Sequence, residues 1–243
     1  LMDSIAAAAM RKIHEFESRN LSVLAWAFAT LGVWNAPLLN SISSEAMRKI
    51  HLFGAQEISN TVWACATLGF YNDPLLAALA SAAITKIQEF KPQDLGNSAW
   101  AFATLGVVNQ PLMDAISKAA LARIYDDPST SPQNLTNIVW SFATVMAKSA
   151  EASDTVTEQV IRRMDSFNLQ NMSNTSWAFA KLGECNEPLF AAIAEAALNR
   201  IDEWSTQDCA NFAWSFAKIG LRDDELMEAI SASALRRMDE FSE

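Results

Sequence analysis

Tryptophan recurs through this chain at Trp26, Trp63, Trp100, Trp140, Trp177 and Trp214, at spacings of 37, 37, 40, 37 and 37 residues. Around each lies a variant of one phrase, clearest in Gln93 to Gly106: QDLGNSAWAFATLG. Self-similarity at a fixed period of this length is the signature of a stacked repeat, in which each unit buries its apolar face on its neighbours. That one feature predicts an all-α chain, a right-handed α-solenoid of tandem two-helix repeats with about 13 antiparallel helices.

Signals of helix ends divide each unit in two. Helix A starts nine residues before Trp, where Gly54, Ser131, Asn168 and Ser205 suit an N-cap. Pro92 and Pro132 follow at the first helical position. Six residues before Trp stand Asn20, Glu57, Asp94, Asn134, Asn171 and Asp208, the third place of a capping box. Helix A ends at Gly32, Gly69, Gly106, Gly183 and Gly220, five of the chain's 7 glycines.

Helix B opens at Pro37, Pro74, Pro111 and Pro188, and reads as one helical stripe, as from Pro74 to Phe90. Leu1 to Phe16 fits it too, so the expected array is single over 1–243. It has a leading half-repeat at 1–18 and repeats at about 19–53, 54–90, 91–127, 131–167, 168–204 and 205–243. Opening on half a unit implies an N-terminal cap or a piece of a longer array. The fourth copy departs most, through an insertion in Asp126 to Pro132, Met146 in place of glycine and Ser149-Ala150-Glu151 in place of the Asn-x-Pro turn.

A helical wheel of Gln93 to Gly106 points Leu95, Ala99, Phe102 and Leu105 to the core, with Gln93, Asn97 and Thr104 opposite and Trp100 beside them. The residue after each Trp is Ala or Ser, so Trp26, Trp63, Trp100, Trp140, Trp177 and Trp214 are expected to pack the repeats, each inserting against a small flank of the next helix A. On that reading Trp100→Ala costs about 3–5 kcal/mol. The polar edge repeats as Gln56/Asn60, Gln93/Asn97, Gln133/Asn137, Gln170/Asn174 and Gln207/Asn211, followed by threonine or lysine. It is either an amide ladder joining neighbouring helices or the lining of a ligand surface. A stripe this uniform cannot spell a mixed base sequence, because one-base-per-repeat readers vary those side chains.

Phosphate-contact candidates come from helix B. Lys12, Lys49, Lys86, Arg123, Arg163, Arg200 and Arg237 hold one position in all seven copies, and Arg11, Arg48, Arg162 and Arg236 precede four of them. Stacked rungs would line up a cationic track for single-stranded phosphates. The competing reading is dipole compensation and pairing with acids three residues on, at Glu15, Glu89, Asp126, Glu203 and Glu240.

Net charge is −10, which disfavours loose whole-surface attraction to nucleic acid or anionic membrane. No apolar run reaches the roughly 20 residues of a membrane helix, so a soluble chain without membrane insertion is expected. Neither a secretory nor a transit signal is visible. Cys65, Cys185 and Cys209 read as small buried hydrophobes in a reducing intracellular compartment. No Cys-x-x-Cys, His-Glu-x-x-His or phosphate loop occurs, and His14 and His51 are matching repeat positions. The expectation is no enzyme, no catalytic residue, no metal and no cofactor.

The 37-residue two-helix unit with Asn-x-x-Trp-Ala-Phe-Ala-Thr-Leu-Gly resembles the heptatricopeptide and octotricopeptide repeat families over nearly the whole chain. Those are α-solenoids of organelle gene expression, often beside RAP or FAST-kinase-like domains. The resemblance implies a chloroplast or mitochondrial protein of RNA stability, processing or ribosome assembly, with Gln93, Asn97 and their counterparts on the ligand side. Two partners follow as expectations: single-stranded RNA held with little sequence preference, or partner proteins on a scaffold within a large organellar assembly.

Overall fold

The computed structural model describes residues 1–124, 131–144 and 157–237, and among them every regular element is helical. The insertion after Asp126, Met146 and Ser149-Ala150-Glu151 lie outside the described residues. Backbone contacts gather the chain into two compact units, Leu1–Arg123 and Ile124–Glu243.

In the first unit the helices are α1 (Met2–Lys12), α2 (Ser18–Thr30), α3 (Ala36–Arg48), α4 (Ala55–Leu68), α5 (Asp73–Thr85) and α6 (Pro92–Thr104), with α7 (Gln110–Ile124) ending at the boundary. The second unit holds α8 (Pro132–Thr144), the helical residues 157–162 (α9), α10 (Leu169–Leu182), α11 (Glu187–Leu198), α12 (Thr206–Ile219) and α13 (Asp224–Arg236). In each unit the A helices pack on one another in succession, α2 on α4 on α6 and α8 on α10 on α12. The B helices form a second row, α1–α3–α5 and α11–α13. This is solenoid packing of successive helix pairs, as the period predicts.

Small residues explain why the A helices approach so closely. Ser59, Ser98, Ala101, Ser141, Ala178 and Ser215 are at most 1% exposed. A bulkier side chain at these places would hold the helices apart. Behind them Phe28, Phe102, Phe179 and Phe216 fill the space between the rows, all buried.

The helix ends form as the sequence predicts. Backbone N–H groups of Glu17, Gly54, Lys91 and Ser205 donate to the side chains of Asn20, Glu57, Asp94 and Asp208 at 3.0–3.1 Å. At the other end Gly106, with φ +69°, donates to Ala103 O and the next residue, Val107, to Phe102 O. That is a Schellman closure, and its left-handed residue suits glycine because a Cβ would clash with its own backbone. The other four repeat glycines close their helices in the same way.

Helix B differs from its sequence reading at both ends. Proline is its second residue. The cap is the asparagine two places earlier: Asn35, Asn72, Asn109 and Asn186, with Asp223 in the last copy, accept from a backbone N–H three residues on at 2.9–3.1 Å. The helix does not continue to Phe90. It stops at Thr85, Lys86 takes φ −107° and ψ 14°, Ile87–Glu89 form a 3-10 turn, and Phe90 is extended. The same break occurs after Lys12, Lys49, Arg163 and Arg200. A continuing α-helix would carry Phe90 past the core, whereas the break drives it in to 1% exposure.

Candidate nucleic-acid interface

One edge of each A helix is left open by this packing. It carries residues at i, i+4, i+7 and i+11, which share a helical face. On α10 these are Gln170, Asn174, Trp177 and Lys181, and on α12 they are Gln207, Asn211, Trp214 and Lys218. The glutamines are exposed and the asparagines half-buried in both units.

In the second unit the edges are knitted together. Gln133 Nε2 donates to Asn137 Oδ1 at 2.7 Å along α8, and Gln207 Nε2 to Asn211 Oδ1 at 2.9 Å along α12. Between repeats, Asn171 Nδ2 donates to Gln133 Oε1 at 3.0 Å and Asn211 Nδ2 to Asn174 Oδ1 at 3.3 Å. Below the surface Ser173 Oγ donates to the buried Asp208 carboxylate at 2.7 Å. In the second unit the amide ladder and the exposed lining are therefore one surface: Gln133 and Asn211 bond to a neighbouring repeat, and the glutamines are nonetheless exposed.

In the first unit the matching residues open onto a cleft between α4 and α6. Gln56, Asn60, Gln93 and Asn97 line it together with Glu57, Glu89, Asp94 and Lys91. Three carboxylates against one ammonium make this cleft acidic, and both amide pairs sit beside that charge.

The tryptophans do not insert as expected. Trp26 and Trp214 are 43% and 42% exposed, and Trp63, Trp100, Trp140 and Trp177 are half-buried on the same open edge. The small residues expected to receive them are buried where successive A helices pack. In the second unit the indoles meet each other: Trp140 and Trp177 at 6.3 Å between centroids and 24°, Trp177 and Trp214 at 6.0 Å and 32°. The Lys181 ammonium lies 4.6 Å from the Trp177 ring centroid, within cation–π range. Trp100→Ala therefore removes a half-buried ring rather than a core one. Its expected cost falls to about 1–2 kcal/mol, from the area still buried. A melting curve separates this from the larger loss that full insertion requires.

The basic series has a definite place. Lys49 Nζ donates to His14 O at 2.8 Å and Phe16 O at 2.7 Å, both in the preceding repeat. Lys86 Nζ reaches His51 O at 3.4 Å and Phe53 O at 2.6 Å. Arg200 Nη1 donates to Phe167 O at 2.9 Å, and Arg237 Nη2 to Asp202 O at 3.2 Å. Each cation closes the carbonyl end of the previous repeat's 3-10 turn, which has no helical partner of its own. Lys12 pairs loosely with Glu15 at 4.0 Å, both well exposed. Arg163 ends α9 and is half-buried, and the side chain of Arg123 lies outside the described residues. The i+3 acid partners recur at Arg200, whose Nη2 is 2.6 Å from Glu203. Lys49 turns the other way, to Glu45 at 2.9 Å.

Titratable groups show structural pairing. The hydrogen bond from Lys49 holds the Glu45 carboxyl below its ordinary range against the opposing effect of burial. Arg200 and Glu203 stabilise each other's charged forms through their hydrogen bond. The hydrogen bond to Asp73 raises Tyr71, and burial pushes Cys65 up to about 12. Cys65 and Cys209 are buried as expected, but Cys185 is exposed. Its place in the turn after Gly183 puts it outside both helix rows. Among the described residues no group of three His, Cys, Asp or Glu could hold a metal, and no helix is long and apolar enough to cross a membrane.

A stack of helix pairs with open amide and indole edges defines a helical-repeat protein. The family model described as RNA-editing substrate-binding complex 6 protein (RESC6) matches residues 1–144 and again 128–243. The chain belongs to that family. No curated protein matches it.

Proposed function

We propose that this chain is a non-catalytic RNA-holding subunit of an RNA-editing complex. The observation that carries the reading is the open A-helix edge, where amides and indoles recur in register from repeat to repeat on a scaffold of the RESC6 family. Planar rings and amide groups at regular intervals suit single-stranded RNA, whose unstacked bases need faces to lie on and edges to pair with. The uniform Gln-Asn stripe supports holding without sequence reading. The likeness to heptatricopeptide and octotricopeptide proteins extends the reading to RNA stability, processing or ribosome assembly. Family membership supports an organellar setting and favours the mitochondrion. Among the described residues every shifted titration traces to burial or to a pairing partner, in keeping with a role without catalysis.

A protein scaffold is the second reading, favoured by α2. Its edge lacks the amide pair, carrying Arg19 and Val23, and Val23, Leu31 and Trp34 are 47%, 62% and 54% exposed. Exposed apolar side chains in place of the amide pair suit a protein contact better than an RNA strand.

Fluorescence anisotropy with a labelled single-stranded oligoribonucleotide distinguishes the two. Binding at about 50 mM salt, with affinity falling at a log–log slope of about −0.7 per phosphate contacted, is the expected result. Absence of binding at that salt leaves the scaffold.

A further inference from the structure

The two units differ in the charge of their open edges, and the difference assigns the RNA to one of them. In the first unit the place four residues after Trp is threonine each time, at Thr30, Thr67 and Thr104. The cleft there is lined by Glu57, Glu89 and Asp94 against Lys91 alone. In the second unit α8 keeps threonine there, Thr144, and α10 and α12 carry Lys181 and Lys218. Six before Trp the first unit has Asn20, Glu57 and Asp94, and the second has Asn134, Asn171 and Asp208. Asp208 is 6% exposed and engaged by Ser173 and Ser205, and Glu203, the counterpart of Glu89, is paired with Arg200. The second unit also has the indoles in contact, with Lys181 over Trp177.

We propose that the edge of α10 and α12, with the indoles of Trp177 and Trp214 and the ammonium groups of Lys181 and Lys218, is the surface that holds single-stranded RNA. Each lysine sits one turn beyond a tryptophan, so a strand lying across the helices meets a ring and a cation in each repeat. Phosphates go to the lysines and bases to the indoles, while the amides of Asn174 and Asn211 are held by their ladder. In a chain of net charge −10, a local field of this sign matters more than the total. The phosphate backbone is repelled from the acidic cleft of the first unit and attracted here.

This assignment rests on the RNA-holding reading, and the test separates the two. Threonine is native at the lysine position in earlier copies, so Lys181→Thr/Lys218→Thr changes charge without straining the helices. With a labelled oligouridylate as probe, the double variant is expected to bind more weakly. Its log–log salt slope should be shallower by about 1.4, two phosphates at about 0.7 each. Trp214→Ala should weaken binding by about tenfold with the slope unchanged, as for loss of one base stack. A polyglutamate of matched charge should compete poorly, having no bases. If the parent binds but both variants bind as tightly and with the same slope, the assignment fails and the RNA-holding reading stands. If polyglutamate competes as well as RNA, the face is an acidic-protein contact and the assignment fails. A parent that does not bind oligouridylate overturns both. Circular dichroism of each variant shows whether its fold is kept, and the threonine pair supplies the result should Trp214→Ala unfold.

Discussion

Trp204→Ala is expected to lower stability by about 3–5 kcal/mol, the range for truncating a fully buried large aromatic. Trp204 is 0% exposed and follows the 3-10 turn Ile201–Glu203 in extended conformation. Its ring lies 5.4 Å from Phe212, and its Nε1 donates to Ala197 O at 2.9 Å. Phenylalanine holds the same place at Phe53, Phe90 and Phe167, all buried. Trp204→Phe should therefore keep most of the packing and lose chiefly the indole hydrogen bond, about 1 kcal/mol. For a chain of this size, the alanine variant should melt on the order of 10 °C lower. Urea or thermal melts of the three proteins check this. Equal losses in the two variants would mean that the hydrogen bond, not the ring's volume, is what the site requires. Because repeat stability is a sum of local terms, the loss should appear first in signals from the second unit.

The residues that were legible in the sequence act locally. Asn20, Glu57, Asp94 and Asp208 cap within three residues of their partners, and Gly106 closes a helix through its own backbone. A period and a helical wheel are enough to place such groups. Lys49 was harder, since its partners are 33 and 35 residues away and depend on how one repeat seats on another. The break at Lys86 follows from the same contact: a straight helix would satisfy local propensity but strand Phe90. Trp100 misled for a different reason. The wheel puts it beside the polar edge, but its size suggests burial, and close A-helix packing by Ser98 and Ala101 leaves no slot to receive it. The change from Thr104 to Lys181 and Lys218 was visible as letters. Its meaning depends on Trp177 lying under an ammonium group, which only the packed helices reveal.

Lys49→Met tests whether the recurring cation is a joint between repeats. Its Nζ holds His14 O, Phe16 O and the Glu45 carboxylate at 2.7–2.9 Å, while 23% of the side chain remains exposed. The Glu45 side chain is 5% exposed, and its other cation, Arg48 at 3.0 Å, is 71% exposed. Breaking a buried pair from one side costs about 3–5 kcal/mol. Partial exposure of Lys49 and the remaining Arg48 reduce the expected loss to about 2–3 kcal/mol. Glu45 makes the loss depend on pH. Its folded pKa lies below the ordinary 4.5, first because of the Lys49 hydrogen bond, so ionised Glu45 contributes stability above that value. The contribution fades as pH falls through the depressed folded value. The gap between parent and variant should therefore be widest near neutrality and narrow in acid, where only the two carbonyl bonds still separate them. Adding Glu45→Gln to Lys49→Met removes a buried carboxylate left with Arg48 alone and should recover part of the loss at pH 7 and little in acid. Denaturant melts at both pH values measure this, and a gap that stays constant would confine the role of Lys49 to the carbonyls of the preceding repeat.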